Sequence, residues 1–387
     1  MVRESGEEVP AKHGRQRLNR VLYWLLAQWL WVSSPRLVRW DSRGVSLSRG
    51  PLHRPKMKIL ITGGAGFIGS SIAESYIFAG HEVGVVDDLS AGKRENLPAS
   101  ARFFFGDIGD NAFLENVFEE MRPDVVSHHA AQMDIRRSLR EPQFDANINI
   151  IGSLSVLERC VRFGVEKVIF ASSGGAIYGE PGTLPATEAT AGMPISHYGV
   201  SKLAVERYLH AYHRLYGLRY CALRYANVYG PRQNPHGEAG VVAIFAGQML
   251  RGETCTIFGD GSKTRDYIFI ADVVRANLLA LNRGECQVFN IGRGIQVSDA
   301  EMFETIRRAV GIANQPRFAP HRRGEVQHIC LDSSSASRVF GWEPEVGLSE
   351  GIGKTIAHIR SEFRGDATMK SLAGLEASQP LFQGRTP

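Results

Sequence analysis

The chain predicts an α/β fold, a doubly wound parallel sheet with a smaller C-terminal substrate-binding lobe, and three observations carry that expectation. From Met57 to about residue 230, apolar runs of strand length alternate with longer segments of helical period. The strand runs are nearly continuous in apolar residues, as strands covered on both faces are. The first of them leads straight into a glycine-rich turn, ITGGAGFIGS, that opens a helix.

MKILIT is the first strand, SSIAESYIFAG the helix after the turn, HEVGVVD a strand, ARFFFGD another, NAFLENVFEEM a helix and DVVSHHAA the next strand. DANINIIGSLSVLERCVRFG reads as one long helix, KVIFASS as a strand, Tyr198 to about Tyr216 as a helix and RYCALRYANVYG as one closing strand. After Pro231 the alternation loosens. GVVAIFAGQMLRG, IADVVRANLLALNRG, DAEMFETIRRAVG and LSEGIGKTIAHIRSEF are helical, TCTIFGDG is a strand and turn, and QVFNIG is a short strand. This irregular portion predicts a lobe that caps the sheet. From Gly365 the chain is polar and unpatterned, which predicts a mobile tail. The expected organisation is an N-terminal extension at 1–56, a dinucleotide-binding domain at 57–230 that carries the chemistry, a region at 231–364 that is mainly the substrate lobe, and the tail at 365–387.

The 387 residues are 43% hydrophobic and 22% charged and show no repeat, the profile of an ordinary globular protein. Lys and Arg number 45 against 40 Asp and Glu, and many of the basic residues crowd into the first 56 positions. That distribution gives no basic face for nucleic acid. The five cysteines are widely spaced with no C-x-x-C, against a disulfide framework or zinc site and in keeping with a reducing cytoplasm. VLYWLLAQWLWV at 21–32 is interrupted by Gln28 and falls short of the roughly 20 apolar residues that span a bilayer. It reads as an interfacial anchor, as a targeting segment, or as translated sequence upstream of a true start. MKILITGG at Met57 favours the last, and no membrane partner is expected.

Gly63, Gly66 and Gly69 allow a tight turn and a close approach of backbone N–H groups to a pyrophosphate, whose charge then sits at a helix N-terminus. These are the marks of a Rossmann-type site. Asp87 ends the second strand, where its carboxylate suits adenosine ribose hydroxyls and repels a 2′-phosphate, favouring NAD over NADP. Asp107 ends the third strand and reads either as an acceptor for the adenine amino group or as a solvated turn residue. His128 and His129 are adjacent on a strand and point opposite ways, so they suit packing rather than a shared metal.

Tyr198 and Lys202 stand four apart on one helix, their β-carbons ~5–6 Å apart. Lowering a phenol from pKa ~10 to ~7 takes about 4 kcal/mol. One cation ~6 Å away at an effective dielectric of ~20 supplies about 2.8 kcal/mol. Lys202 and a positively charged oxidised nicotinamide together are therefore expected to make Tyr198 a base near neutrality. Ser172 and Ser173 leave the carboxyl edge of the sheet, where a hydroxyl bridges substrate oxygen and Tyr198, or else merely caps the strand.

The G-x-x-G-x-x-G turn, the SS-x-x-x-x-Y-G stretch, Y-x-x-x-K and LRYANVYGPRQ together resemble the extended short-chain dehydrogenase/reductases, in particular their NAD-dependent epimerase/dehydratase family, over about residues 57–362. The resemblance implies NAD as cofactor, a UDP-sugar as substrate, and 4-epimerisation of UDP-glucose and UDP-galactose through a 4-keto intermediate. It implies cofactor contacts at Gly63, Gly66, Phe67, Ile68, Gly69, Asp87, Asp107, Ile108 and Asn149. To these it adds Leu89, Ser90, Gly92 and Lys93 of the DLS-x-G-K loop, Ala130, Ala131 and Gln132 after the fourth strand, and Ser172, Tyr198 and Lys202. Ser173, Tyr198 and Lys202 match the catalytic positions, with the extra glycine in SSGGAIYG leaving Ser172 open as the hydroxyl. Ser173, Tyr198 and Asn227 match substrate-contacting positions, and Arg265 and Arg322 match two arginines that clamp the diphosphate, a task suited to bidentate guanidinium donors. The bland alternative for the arginines is a surface salt bridge.

Where the family's dehydratases carry an Asp-Glu pair and its decarboxylases a Glu, this chain has Gly175 and Ala176, so dehydration and decarboxylation are disfavoured. Ile329 replaces a bulky tyrosine that limits room around the sugar, which keeps UDP-N-acetylglucosamine open beside UDP-glucuronate as an alternative substrate. A non-catalytic NAD-binding regulator is the reading from another class, and the intact Ser173, Tyr198 and Lys202 argue against it. A homodimer is expected from the resemblance.

Overall fold

The structure, a computed structural model, describes residues 56–235, 240–322 and 324–376, with side chains as far as Phe363. The expectations for residues 1–55, apolar run included, and for 377–387 lie outside the described residues. Twelve strands are described: β1 (Lys58–Thr62), β2 (Glu82–Asp87), β3 (Arg102–Phe105), β4 (Val125–His128), β5 (Lys167–Ser173), β6 (Arg219–Tyr225), β7 (Asn227–Tyr229), β8 (Thr256–Phe258), β9 (Thr264–Phe269), β10 (Gln287–Ile291), β11 (Gln296–Ser298) and β12 (Arg317–Ala319). The α-helices among them are α1 (Phe67–Phe78), α2 (Asn111–Met121), α3 (Ile135–Arg140), α4 (Pro142–Ala146), α5 (Ser153–Arg162), α6 (Gly174–Ile177), α7 (His197–Tyr216), α8 (Val241–Leu250), α9 (Ile270–Ala280), α10 (Asp299–Val310), α11 (Ser334–Phe340) and α12 (Leu348–Glu376).

Seven strands form the main sheet in the order β10, β6, β5, β4, β1, β2, β3, all parallel. Its strands are apolar on both sides because both sides are covered. Ile59 and Ile61 of β1 pack with Ile72, Val83 and Val85 in one cluster, while Leu60 between them packs with Leu114, Phe118 and Val126 in another. The chain winds outward from β1 to β3 and then returns to place β4 on the other side of β1. The loops that follow β1 and β4 therefore diverge at a topological switch point, where open α/β sheets bind ligands.

Three differences from the sequence expectations matter for the site. RYCALRYANVYG is two strands: β6 stays in the main sheet, and after Ala226 β7 leaves to pair with β9 in a small sheet with β11. The long helix begins earlier than expected, at Pro142, and a π-helical turn over Asn147–Gly152 separates α4 from α5. The chain after residue 230 also gives β10 to the edge of the main sheet beside β6, and α9 packs against α1, so the two regions interlock. The rest of it surrounds a third cluster that includes Phe245, Ile257, Tyr267, Met302, Phe303 and Ile356. Where an unpatterned tail was expected from Gly365, α12 continues as helix to Glu376.

Candidate active site

The glycine turn is built by close backbone contacts. Gly63 has φ +66°, and a Cβ there would lie 2.5 Å from the backbone nitrogen of Ala130, so the turn after β1 presses directly on the loop after β4. A Cβ on Gly69 would lie 2.3 Å from the Gly63 carbonyl oxygen, which lets α1 start over the turn. Gly66 caps α1 with no side-chain partner for the first-turn amides, and its own face is open, the nearest atom to a Cβ being 3.4 Å away. Unpartnered amides at a helix N-terminus, beside glycines, suit a pyrophosphate.

Asp87 braces this turn. Its carboxylate accepts from Ala65 N at 2.9 Å and Leu89 N at 2.8 Å, and burial raises its pKa. The loop bearing Leu89, Ser90, Gly92 and Lys93 folds over Ala65, whose carbonyl accepts from Lys93 N at 3.0 Å and Asn96 Nδ2 at 2.9 Å. Asp107 is exposed and its carboxylate accepts from Gly109 N at 2.7 Å, which joins the two sequence readings: it shapes its own turn and stands at the crevice edge. Ile108 is buried.

On the other wall, Asn149 uses its whole amide on the protein. Its oxygen accepts from Gln132 N at 2.9 Å, and its nitrogen donates to Gln132 O at 2.9 Å and to Asp145 at 3.0 Å. Its place on the π turn aims it at the loop after β4, so in this structure Asn149 positions Ala130–Gln132. Asp145, fully buried, accepts from Gln132 Nε2 at 2.9 Å and Ser201 Oγ at 2.7 Å. His128 bridges Thr62 Oγ1 at 2.6 Å and Ser153 Oγ at 2.8 Å, and burial lowers it and His129 to about 3, so both rings are neutral. They pack, as their spacing predicted. Among the described residues no group of three or more His, Cys, Asp or Glu is placed to hold a metal.

Helix α7 starts at Ser196, whose side chain accepts from Gly199 N, and stops at Gly217 in the left-handed region. A Cβ on Gly199 would lie 2.5 Å from the Ala176 carbonyl, so glycine lets the first turn of α7 close on α6 just after β5. Three successive residues of β5 are thereby tied to one helix. Lys202 Nζ donates to the Ala171 carbonyl at 2.9 Å, Ser172 Oγ donates to Glu206 at 2.6 Å, and Ser173 lies beside Tyr198, near enough for its hydroxyl to lower the pKa of the phenol. The two serines differ in their surroundings: the hydroxyl of Ser172 is committed to Glu206, and Ser173 is the one beside Tyr198.

The Lys202 ammonium lies 5.9 Å from the centroid of the Tyr198 ring and 4.8 Å from that of Phe170. Burial lowers Lys202 to about 8 against the opposing charges of Asp145 and Glu206. Burial pushes Tyr198 up to about 12, the Ser173 hydroxyl lowers it and the Asp145 charge raises it. The protein alone keeps this phenol protonated, because desolvation outweighs the lowering by Ser173.

Of the residues that the resemblance assigns to the substrate, Asn227 stands over this corner: a Cβ on Gly175 would lie 3.3 Å from Asn227 Oδ1. Arg265 Nη1 donates to the carbonyls of Thr264 at 2.8 Å and Gln327 at 3.3 Å. Arg322 stacks 3.4 Å from the Phe258 ring centroid and lies 3.7 Å from Glu325, which also holds Lys263. Both guanidinium groups border the segment that runs beside β9, and Ile329 in that segment is 1% exposed, part of the core. Sequence reasoning passed over Asp145, Glu206 and Arg224. Glu206 had a signal, four residues after Lys202 as Lys202 is four after Tyr198; Asp145 and Arg224 are brought in by tertiary packing alone.

Residues 59–292 match the model of the NAD dependent epimerase/dehydratase family. A UDP-glucose 4-epimerase of Mycolicibacterium smegmatis is 45% identical over 312 residues, 79% of this chain and 99% of the relative. The solved UDP-glucose 4-epimerase of Thermotoga maritima, with UDP-glucose, is 49% identical with a TM-score of 0.78, covering 79% of this chain and 100% of the other. That of Thermus thermophilus, in complex with NAD, is 45% identical with a TM-score of 0.76, covering 79% and 99%.

Proposed function

The chain belongs to the NAD-dependent epimerase/dehydratase family, and from that premise we propose that it is an NAD-dependent UDP-glucose 4-epimerase, interconverting UDP-glucose and UDP-galactose through a 4-keto intermediate. The observation that carries the reading is the alignment of Ser173, Tyr198 and Lys202 at the carboxyl edge of the same sheet that bears the open glycine turn. The residues fit NAD: unpartnered amides of α1 for the pyrophosphate, Asp87 at the end of β2, and the Ala130–Gln132 loop across the crevice. When bound, the cofactor accepts the C4 hydride and returns it, and its oxidised ring adds a positive charge near the phenol.

Tyr198 takes the proton of the sugar 4-hydroxyl, directly or through Ser173, and gives it back once the 4-keto sugar has turned its other face. Bringing the phenol from about 12 to ~7 requires roughly 7 kcal/mol, at 1.36 kcal/mol per pH unit. Lys202, 5.9 Å from the ring, is already part of the environment that sets this starting value. The whole of the remaining shift therefore depends on binding, so ionisation of Tyr198 is coupled to a loaded site. Lys202 spends one of its three donors on Ala171 and keeps two for the cleft. Arg265 and Arg322 hold the diphosphate, and binding concentrated at the UDP end leaves the hexose free to turn. Gly175 and Ala176 offer no acid for β-elimination, so the dehydratase and decarboxylase readings are less supported.

The division into an NAD-binding domain at 57–230 and a mainly substrate-binding region at 231–364 belongs to this reading, with β10 and α9 returning to the first. Exposed Ile151 on the π turn and exposed Val200 and Tyr208 on α7 support a homodimer through these neighbouring helices. Free cysteines throughout support the cytoplasm, and among the described residues no helix is long and apolar enough to cross a membrane. The test is side-by-side assay of UDP-glucose, UDP-N-acetylglucosamine and UDP-glucuronate with added NAD. Highest kcat/KM on UDP-glucose is expected, and NAD binding with turnover of none of the three overturns the reading.

A further inference from the structure

Tyr198, Lys202 and Glu206 follow one another at four-residue spacing along one face of α7, and each is tied to one of three consecutive residues of β5. The first two ties belong to the proposed chemistry, and the third does not. Glu206 is 4% exposed. One of its oxygens receives Ser172 Oγ at 2.6 Å and Arg224 Nε at 2.9 Å, and the other receives Arg224 Nη2 at 2.6 Å. Arg224 is itself anchored, donating through Nη1 to Tyr178 Oη at 2.8 Å, and Tyr178 donates to Asn290 at 2.7 Å. This bidentate pair is costly to bury unless its remaining groups are matched. Here they are matched on both sides, and the one neutral partner it recruits on β5 is the residue beside Ser173.

We propose that Glu206 is a positioning residue for the 4-epimerisation: clamped by Arg224, its carboxylate holds Ser172 and fixes the end of β5 against α7, keeping Ser173 in register with Tyr198 and Lys202 in its charged form. The proposal rests on the epimerase reading for its kinetic consequence, and its effect on Lys202 rests on the four-residue spacing along α7, which puts the two charges on one helix face, and not on that reading. The charged and titratable groups facing Lys202 are Tyr198 on its own helix, Asp145 from α4, Glu206 one turn on, and the neutral His128 and His129 from the end of β4. Burial disfavours the ammonium, and Asp145 and Glu206 both favour it. Around Glu206 stand Arg224, Tyr178, Tyr220, Arg207 and His210, and all of these but Tyr178 line with it a cavity of about 240 Å³ that Glu188 also borders.

The test is Glu206→Gln in the NAD-loaded full chain beside wild type, with UDP-glucose as substrate. The amide keeps the shape and removes the charge. The expected result is a kcat at least 10-fold lower with KM within 2- to 3-fold, the signature of interactions made in the transition state, and a basic limb of the kcat profile moved to lower pH. In parallel, the Lys202 amine is titrated by NMR in the chain without substrate, assigned by its loss in Lys202→Met. Its midpoint is expected to fall by about one pH unit or more in Glu206→Gln. Should Glu206→Gln fail to fold, Ser172→Ala decides, since it removes the strand tie and leaves the charge pair. It is expected to lower kcat at least 3-fold at constant KM. A Glu206→Gln chain with wild-type kcat and an unmoved Lys202 midpoint overturns the proposal, as does wild-type kcat in Ser172→Ala when Glu206→Gln cannot be folded. If wild type itself converts no sugar, the epimerase reading fails separately, and the Lys202 midpoint still decides whether Glu206 holds that charge.

Discussion

Replacing Lys202 with methionine removes an ammonium 5.9 Å from the centre of the Tyr198 ring and keeps an apolar stem against Phe170. At an effective dielectric of ~20, the lost attraction is about 2.8 kcal/mol on the phenolate, equivalent to about two pH units. At neutral pH the ionised fraction of Tyr198 in the loaded enzyme falls about 50-fold, from roughly half to roughly 1%. The account expects kcat to fall by a similar factor and the acidic limb of the kcat profile to move up by about two pH units, measured by coupled assay of UDP-galactose to UDP-glucose. Folding gives an internal control. Burial lowers Lys202 to about 8 in the fold, against about 10.4 in an unfolded chain. The folded state thus binds fewer protons between those values, and the contribution of this residue to stability improves as pH rises from 8 towards 10.5. Below pH 8 the buried charge is a burden of order 3 kcal/mol, offset in part by its bond to Ala171, worth about 1 kcal/mol. Lys202→Met is therefore expected to melt no lower than wild type at pH 7, and to lose the wild-type rise in stability between pH 8 and 10.5. A folded variant with kcat within 3-fold of wild type and an unmoved acidic limb would refute the electrostatic reasoning.

Two further outcomes follow from the binding surfaces. Gly63→Ala puts a Cβ 2.5 Å from the Ala130 nitrogen at a φ of +66°, a strain of about 1–2 kcal/mol before the clash is counted; calorimetric NAD affinity is expected to fall at least 10-fold, and unchanged affinity contradicts the assigned turn. Arg322→Ala removes a charge-assisted contact of about 1.5–3 kcal/mol, so KM for UDP-glucose is expected to rise roughly 10- to 100-fold with kcat nearly constant. A fall in kcat at constant KM would instead place Arg322 outside the diphosphate clamp.

The main sheet was legible because both its faces are covered, so its strands announce themselves as apolar runs and its turn glycines as a fixed pattern. Legibility failed where tertiary pairing decides. β9, TRDYIF, carries three polar residues and becomes a strand because β7 and β11 flank it. The break after Tyr225 has no glycine or proline; it arises where Ala226 N donates to the Ile291 carbonyl at 2.9 Å and the chain changes sheet. In the site, Tyr198 and Lys202 could be paired from helical spacing, since both lie on one element. The division of labour between Ser172 and Ser173 could not, because it depends on which neighbour a strand end faces. The sequence estimate for Tyr198 also omitted the desolvation that burial imposes, and burial depends on the packing of α4, α6 and α7 around it.

The most direct test of the account is the ultraviolet titration of phenolate absorbance in the NAD-loaded chain, taken as the difference between wild type and Tyr198→Phe. The account predicts one phenol titrating near pH 7 when NAD is bound, and the same phenol held up at about 12 without it. A loaded enzyme in which the difference spectrum stays flat to pH ~10, the ordinary value of a free phenol, would contradict the claim that Tyr198 is the base.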